Sequence, residues 1–469
     1  MEPTLIALAS AASGAGTVAL GRTLRGLDQV ALLAPEPPPG QDEGIAFVQA
    51  DLSAAAGAEK ALAALEQAHG PMRCLVTVPA PAPEVGVAAL SDDLWGSALA
   101  MNQTAAMHVA RAAARLMGGR GSGAIALVGW RITHPAGWAH LAATSGAIAQ
   151  LARSLAAEIG PRGVTVNAIL VPPGALNDAA GAVRLLMCPD AGYLTGEVLI
   201  PGPGEPAGSE RGASRSDGLT GRVALVTGAG QGIGAEIAGR LGTEGAVVAV
   251  NSLHAEKAEA TAGRVSSTGG TAEPFPADVA DPSQVERMVS SIESRLGSVE
   301  VLVNNAAVLS MRELTEMDLD DWHRQIAVNL TAPFLVSRRI IPRMVEARWG
   351  RIVNVSSIWG LVGARGATAY AAAKGGLIEL TRAMAQEVGA DGVRVTAVAP
   401  GVVSTPQLAA DAAFSGITVP EMERRYALDT LLGRIASASE IAGVVAFLAS
   451  DEGAPFEGQT VPLTGGRAE

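Results

Sequence analysis

Tyr370 and Lys374 are four residues apart in a chain that contains only three tyrosines and three lysines. On a helix, residues at this spacing lie on one face, so a phenol and an ammonium group can point into the same space. A cation beside a phenol favours the phenolate and lowers the phenol pKa, which makes a usable proton donor and acceptor near neutral pH. The spacing therefore indicates acid–base chemistry. The alternative is a surface Tyr and Lys on an amphipathic helix.

A glycine-rich segment indicates what such a pair could serve. Residues 222–234 read RVALVTGAGQGIG, an apolar run that predicts a strand, followed by a tight turn and a helix. Glycines at Gly228, Gly232 and Gly234 would let a pyrophosphate approach the helix N-terminus, where free N–H groups and the helix dipole attract anions. A plain tight loop is the alternative, but the position between a strand and a helix favours a dinucleotide site.

The elements that must position these residues are arranged in two halves. A length of 469 residues predicts two or three domains. Residues 201–217, PGPGEPAGSERGASRSD, contain almost nothing that could enter a core and predict a linker. On both sides, short Val/Ala/Leu/Ile runs alternate with segments of helical period. We therefore expect an α/β protein with two tandem Rossmann-like, doubly wound parallel-sheet domains, at 1–200 and 218–469.

Composition disfavours several classes of function. The net charge is −12 and no basic tract occurs, which disfavours nucleic acid and anionic membranes as partners. The apolar stretch 5–20 follows Glu2 instead of a positive segment and is interrupted by Gly and Ser, so a buried strand is expected there rather than a secretory signal. Cys74 and Cys188 are far apart, with no Cys/His cluster, so we expect no disulfide framework, no metal site and a cytoplasmic location.

Further motifs in residues 219–466 resemble the short-chain dehydrogenase/reductase superfamily. Its nucleotide loop is similar to Thr227-Gly228 and the glycines that follow, and its catalytic pair to Tyr370-x3-Lys374. The resemblance implies that Asp278-Val279 meets the adenine ring, that Asn304 to Ala307 stabilises the sheet, and that Pro400, Gly401 and Thr405 receive the nicotinamide carboxamide. It implies a catalytic set of Asn329, Ser357, Tyr370 and Lys374. It implies cofactor contacts from Thr227, Gly228, Gln231, Gly232, Ile233, Gly234, Ser252, Asp278, Val279, Asn305, Ala306, Tyr370, Lys374, Pro400, Gly401 and Thr405.

The roles implied by this resemblance are chemically consistent. Tyr370 would give its proton to a ketone oxygen during hydride transfer, or take one from an alcohol. Lys374 would lower the phenol pKa and hold the cofactor ribose, and Ser357 would hydrogen-bond the reacting oxygen. Asn329 would hold a water that connects Lys374 to solvent; the alternative is a residue at a helix kink.

The choice between the two nicotinamide dinucleotides depends on the end of the second strand. Relatives that prefer NAD have an acidic residue there, which bonds the ribose 2′-hydroxyl and repels a 2′-phosphate. Ser252 occupies that position here, and the nearest basic candidate is His254. Gln231 stands where many NADP-dependent relatives have Arg. NADPH is favoured, with NADH as the alternative.

The first half aligns with the second as an internal duplication. Residues 9–16 align with 227–234, and Asn102 aligns with Asn329. The chemical positions differ: Trp130 replaces Ser357, His140 replaces Tyr370, Thr144 replaces Lys374, and Thr77 to Pro79 replaces Asn304 to Ala306. The segment that matches the family's substrate lid, 404–434, has no counterpart after Pro173-Gly174. We expect a degenerate, inactive copy. Two alternatives stay open: His140 as a substitute acid, and nucleotide binding through the surviving Gly14, Gly16 and Asp51.

Three functions fit these observations. The first is a ketoreductase acting on a 3-oxoacyl thioester or polyketide-like substrate, carried on acyl carrier protein or coenzyme A, as the resemblance to 3-oxoacyl-acyl-carrier-protein reductases implies. The second is a dehydrogenase that oxidises a sterol, sugar or other secondary alcohol, and the third is a nucleotide-binding scaffold or sensor. The apolar residues of the lid suggest an apolar substrate body, with Trp359 at the border of the pocket; the alternative is that they only pack the lid helix. These lid residues are Leu408, Phe414, Ile417, Met422, Tyr426 and Leu428. The fused copy suggests a homodimer with a pseudo-tetrameric arrangement of four Rossmann domains.

Overall fold

The chain divides into two compact units. The structure, a computed structural model, describes residues 5–12, 15–25, 29–40, 44–134, 136–202, 218–406, 408–409, 412 and 415–466. Unit 1 comprises residues 1–210 with the short segments 429–433 and 465–468, and unit 2 comprises 211–428, 434–464 and 469. Beyond Gly202 the predicted linker lies outside the described residues, and the domain boundaries stay a prediction.

Unit 1 contains a seven-stranded sheet in the order β3-β2-β1-β4-β5-β6-β7, in which all neighbouring strands are parallel. The strands are β1 (Leu5–Ser10), β2 (Gln29–Ala34), β3 (Ala46–Gln49), β4 (Met72–Val78), β5 (Gly123–Trp130), β6 (Val164–Val171) and β7 (Val198–Leu199). The helices are α1 (Ala15–Arg25), α2 (Ala55–His69), α3 (Asp92–Leu99), α4 (Ala105–Arg120), α5 (Ala139–Ile159) and α6 (Ala179–Met187). Helices cover both faces of such a sheet, which explains why its strands are near-continuous apolar runs.

Unit 2 repeats the sheet in the order β10-β9-β8-β11-β12-β13-β16, again parallel throughout. The strands are β8 (Val223–Val226), β9 (Val247–Ser252), β10 (Thr271–Pro276), β11 (Val301–Asn304), β12 (Gly350–Val355), β13 (Val393–Pro400), β14 (Val403–Ser404), β15 (Ala436–Ser437) and β16 (Thr460–Leu463). The helices are α7 (Gly232–Thr243), α8 (Ala255–Ser267), α9 (Pro282–Arg295), α10 (Leu319–Ile326), α11 (Ala332–Glu346), α12 (Trp359–Val362), α13 (Thr368–Val388), α14 (Val419–Leu428) and α15 (Ala438–Ala449). The predicted fold class is confirmed.

The two sheets differ after their sixth strands. In unit 2, β14, α14 and β15 stand between β13 and α15, whereas unit 1 passes from β6 to α6 with only a short turn. This is the deletion that the alignment of the two halves predicts. Both cores consist mainly of Ala, Val, Leu and Ile side chains, since aromatics are only 3% of the sequence. No helix among the described residues is long and apolar enough to cross a membrane.

The sheet of unit 2 determines where a ligand can bind. Strand β8 pairs with β9 on one side and with β11 on the other, so the chain winds away from β8 in both directions. At such a switch point the connections after the two central strands diverge and leave a crevice at the carboxyl ends of the strands. The glycine-rich turn 227–234 and the segment after Asn304 are at that edge.

Candidate active site

A cavity of about 610 Å³ opens at the carboxyl edge of the unit 2 sheet. All but two of the residues that the sequence predicts for catalysis or cofactor binding line it; Thr227 and Asn329 lie behind its wall. The lining includes Gly228, Gly230, Gln231, Gly232, Ile233, Gly234, Ser252, His254, Lys257, Asp278, Val279, Asn305, Ala306, Arg324, Val328, Ser357, Trp359, Tyr370, Lys374, Pro400, Gly401, Thr405, Leu408 and Tyr426.

The Tyr–Lys pair is on helix α13, and both side chains line the cavity. The Lys374 Nζ atom is 5.6 Å from the centroid of the Tyr370 ring. Lys374 is only 2% exposed and donates a hydrogen bond of 2.7 Å to the carbonyl of Val355 at the end of β12. Burial lowers the pKa of Lys374 to about 7, because desolvation disfavours the charged form. The lysine is thus charged in mildly acidic conditions and loses its proton near neutrality.

Ser357 faces the same space from the end of strand β12. Its Oγ accepts a hydrogen bond of 3.2 Å from the backbone N–H of Trp359. Because that bond occupies an acceptor site, the hydroxyl hydrogen can be donated to a ligand oxygen. Trp359 packs edge-on against Tyr370, with ring centroids 6.0 Å apart and planes at 83°. This arrangement limits the orientations of the phenol ring.

Asn329 supports the wall of the cavity from a π-helical turn, Ala327–Thr331, in which the N–H of Ala332 bonds to the carbonyl of Ala327. Its Oδ1 accepts from the N–H of Val308 at 3.1 Å and its Nδ2 donates to the Val308 carbonyl at 2.8 Å. Asn329 is thus in an irregular turn of the helix, and the alternative of a residue at a helix kink stays open. The water that Asn329 is expected to hold stays a prediction.

The glycine-rich turn is built to bring backbone close to a ligand. Gly228 has a φ of +64°, and a Cβ there would lie 2.6 Å from the Cα of Ala306. Thr227 Oγ1 accepts hydrogen bonds from the N–H groups of Asn305 at 3.0 Å and Ala306 at 3.1 Å. Gly232, with a φ of +58°, begins helix α7, whose first N–H groups lie at the cavity. This cradle fits a dinucleotide pyrophosphate.

The far end of the cavity holds the residues expected to meet adenosine. Asp278 accepts a hydrogen bond of 2.9 Å from the N–H of Ala280, and Val279 lies beside it. Ser252 Oγ accepts from the N–H of His254 at 3.3 Å. The sequence interpretation missed Lys257, which lies in the first turn of α8 and donates to Gln231 Oε1 at 3.1 Å. The only sequence signal was a lysine early in the helix after the second strand.

The lid covers part of the opening. Leu408 and Tyr426 line the cavity and pack in a small apolar cluster with Ala412, Ile417 and Met422. The expectation for Leu428 is wrong, since this side chain is 86% exposed and outside the lining. Phe414 lies outside the described residues. No group of His, Cys, Asp and Glu that could hold a metal ion occurs in the described part of the chain.

The matching region of unit 1 has a small cavity and a buried tryptophan. Trp130 is buried and donates from its indole nitrogen to the carbonyl of Ala80 at 3.1 Å. A cavity of about 10 Å³ lies beside Asn102, about the volume that one water occupies. Asn102 is also in a π-helical turn, but its buried Oδ1 has no partner. In the alignment of the two halves, Pro81, which has no N–H to donate, matches Val308.

His140 is 0% exposed, and neither of its ring nitrogens has a hydrogen-bond partner. A general acid needs access to a substrate oxygen, so this buried position does not favour His140 as a substitute acid. Gly14, one of the surviving loop positions, lies outside the described residues.

The cavity of unit 2 therefore joins a dinucleotide cradle to a phenol that has a lysine and a serine beside it. A phenol placed next to a nicotinamide site is the arrangement of an oxidoreductase that uses a nicotinamide dinucleotide and moves a proton together with a hydride.

The chain belongs to the short chain dehydrogenase family, which matches residues 4–182 and 222–414. The repeated match confirms the expected family and the duplication of its fold. The protein is therefore an NAD(P)-dependent oxidoreductase acting on CH–OH and C=O groups.

Several curated relatives are similar over one half of the chain. A 3-oxoacyl-[acyl-carrier-protein] reductase of Pseudomonas aeruginosa is 41% identical over 249 residues, which cover 53% of this chain and 98% of the relative. A 2-(S)-hydroxypropyl-CoM dehydrogenase of Xanthobacter autotrophicus is 38% identical, covering 54% of this chain and 98% of the relative. A crystal structure of a short-chain type dehydrogenase/reductase from Mycobacterium marinum has a TM-score of 0.50 at 29% identity, covering 53% of this chain and 96% of that chain.

Proposed function

We propose that unit 2 is an NADPH-dependent ketoreductase that reduces an apolar ketone, such as a 3-oxoacyl thioester or polyketide-like substrate, to a secondary alcohol. One observation carries the proposal: Tyr370, Lys374 and Ser357 meet in one cavity with the glycine-rich cradle. The similarity to 3-oxoacyl-[acyl-carrier-protein] reductases supports a substrate carried on acyl carrier protein or coenzyme A.

The side chains divide the chemistry among them. A nicotinamide dinucleotide, when bound, supplies or accepts the hydride. Ser357 donates a hydrogen bond to the carbonyl oxygen and stabilises the charge that develops there. Tyr370 gives that oxygen its proton, and Lys374, when charged, favours the resulting phenolate. Gln231, Ile233, Asp278, Val279, Pro400 and Gly401 belong to the proposed cofactor site through their positions on the cavity wall.

Three features support NADPH over NADH. Strand β9 ends at Ser252, so the last residue of the strand is not a carboxylate. Lys257 lines the same end of the cavity and donates to Gln231, so it supplies a cation that a ribose 2′-phosphate could use. His254 also lines this end of the cavity. Lys257 thus replaces His254 as the main basic candidate.

The walls near Tyr370 support an apolar substrate. Trp359, Leu309, Val402 and Leu408 line the cavity there. The ketoreductase assignment is tested by turnover of acetoacetyl thioesters with NADPH in the wild type, in Tyr370→Phe and in Tyr193→Phe. Tyr193 is in unit 1, so its variant is the matched control. We expect Tyr370→Phe alone to lose about 10²- to 10⁴-fold in kcat; turnover that survives this change would refute the assignment.

The second candidate is a dehydrogenase that oxidises a sterol, sugar or other secondary alcohol. It uses the same residues, and a D-threitol dehydrogenase of Mycolicibacterium smegmatis is 38% identical over 250 residues. An alcohol panel with NAD and NADP, compared with the thioester assay, separates the two candidates. A scaffold or sensor role for unit 2 would require that neither panel gives turnover.

Unit 1 is proposed to be an inactive copy that does not bind nucleotide, because a buried Trp130 replaces Ser357 and the cavity beside Asn102 is only about 10 Å³. Titration of NADPH fluorescence should then give one site per chain, and none in Gly228→Val, whose side chain would meet Ala306. Gly230→Val, which would meet Ser252 and Lys257, serves as a second variant. Two sites in the wild type and one in both variants would refute this.

The expected homodimer is checked by light scattering on the full chain.

A further inference from the structure

We propose that Arg324 is a specificity-determining residue that binds an anionic group of the substrate, such as a carboxylate, sulfonate or phosphate set apart from the reacting carbonyl. This proposal depends on the carbonyl chemistry proposed for unit 2. It adds the charge class of the substrate.

Arg324 lies in the last turn of α10 and lines the cavity. Val328, one turn further along the same continuous helical segment, lines it too. Residues at this spacing share one face of a helix. The guanidinium is therefore on the face that the helix turns toward the cavity.

Asp321 fixes the direction in which the guanidinium points. Arg324 Nη2 donates to Asp321 Oδ1 at 2.9 Å, and Gln325 Nε2 donates to Asp321 Oδ2 at 3.2 Å. The Asp321 side chain is 11% exposed, whereas that of Arg324 is 60% exposed. Burial raises the pKa of Asp321, but hydrogen bonds from Arg324 and its other neighbours outweigh burial and lower it. The carboxylate thus stays charged and faces inward, and the positive end of the pair faces the cavity.

The same network links this cation to the reacting end of the cavity. Gln325 exchanges hydrogen bonds of 3.4 Å with the backbone of Ser310. Two residues later, the backbone of Arg312, which a side-chain substitution leaves in place, forms a parallel bridge with Ala367 just before Tyr370 on α13. The two lysines of the cavity wall have surroundings different from those of Arg324. Lys257 bonds Gln231 at the nucleotide end, and Lys374 is buried beneath the phenol.

The chemistry of the group suits an oxyanion. A guanidinium has five N–H donors in a planar fork, and the bond to Asp321 uses one of them. The remaining donors can form paired, charge-assisted hydrogen bonds with a carboxylate or phosphate. Such bonds are about twice as strong as neutral ones, so their loss should cost about 10- to 100-fold in kcat/KM.

The test compares a 4-oxo carboxylic acid with its methyl ester, which has the same carbonyl but no charge. We would measure kcat/KM for both probes with NADPH in the wild type, Arg324→Met, Arg324→Lys and Arg312→Met. Arg312 is a nearby arginine outside the cavity lining, paired with Asp318 at 4.0 Å, and is the matched control. Calorimetric binding of both probes to the NADP-loaded protein needs no turnover. It therefore tests the anion site even if ketone reduction itself fails.

The ratio of kcat/KM for the acid to kcat/KM for the ester should fall at least tenfold in Arg324→Met. It should fall less in Arg324→Lys, which keeps the positive charge but not the planar guanidinium fork. It should stay unchanged in Arg312→Met. An unchanged ratio in Arg324→Met would overturn the proposal. A loss of affinity for NADPH but not for NADH in Arg324→Met, measured without substrate, would also overturn the proposal. Such a loss would assign the guanidinium to a phosphate of the cofactor.

Discussion

Replacing Lys374 by Met should stabilise unit 2, and more strongly at low pH. The lysine is 2% exposed, and burial lowers its pKa from 10.5 to about 7. Methionine keeps the length and apolar stem of the side chain without the charge. We therefore expect the change to remove the cost of burying an ammonium group while giving up the hydrogen bond from Nζ to Val355.

The magnitude and the sign follow from the two pKa values. Below pH 7 the lysine is charged in both the folded and the unfolded state, so the folded state bears the full penalty, about 5 kcal/mol at 1.36 kcal/mol per pKa unit. Between pH 7 and 10.5 the unfolded chain binds the extra proton, so the stability of the wild type rises with pH. The gain in Lys374→Met should hence be about 3 kcal/mol larger at pH 6 than at pH 9.

The assay is urea unfolding at several pH values, monitored by hydrogen exchange of peptides from β12 and β13. Because these strands belong to unit 2, the readout reports on unit 2 alone. The control is Lys60→Met, which removes an exposed lysine from α2 of unit 1 and should change nothing in these peptides. Parallel stability curves for wild type and Lys374→Met from pH 6 to pH 9 would refute the reasoning. Such curves would show that the folded lysine titrates as an ordinary one.

Three further changes test other parts of the structure. Lys257→Met should raise the KM for NADPH about tenfold and leave that for NADH nearly unchanged, because only NADPH has the 2′-phosphate; equal effects on both cofactors would contradict this role. Thr227→Val should destabilise unit 2 by about 2–4 kcal/mol in urea unfolding, since the N–H groups of Asn305 and Ala306 lose their acceptor. His140→Leu should stabilise unit 1 by about 1–3 kcal/mol, because two unpartnered buried nitrogens disappear; a loss of stability would show that they have partners.

Much of the architecture was predictable because its signals are local in sequence. A strand followed by a glycine-rich turn and a helix can be recognised within 222–234, and alternating apolar segments predict a parallel sheet. Tyr370 and Lys374 are one helical turn apart, so helix geometry alone puts them on one face. The comparison of the two halves likewise needed only the sequence, since Trp130, His140 and Thr144 occupy positions that can be counted.

The sequence by itself determined the class of fold, the family and the set of chemical groups, because each of these depends on spacing along one element. The tertiary structure decided how those groups are tuned. Lys257 meets Gln231 across two elements, Arg324 bonds Asp321 at the wall of the cavity, and the buried Oδ1 of Asn102 is left without a partner. Burial of Lys374, which brings its pKa to about 7, depends on the packing around α13. Distances across the fold and access to water are set by packing between distant segments, and no spacing along the chain encodes them.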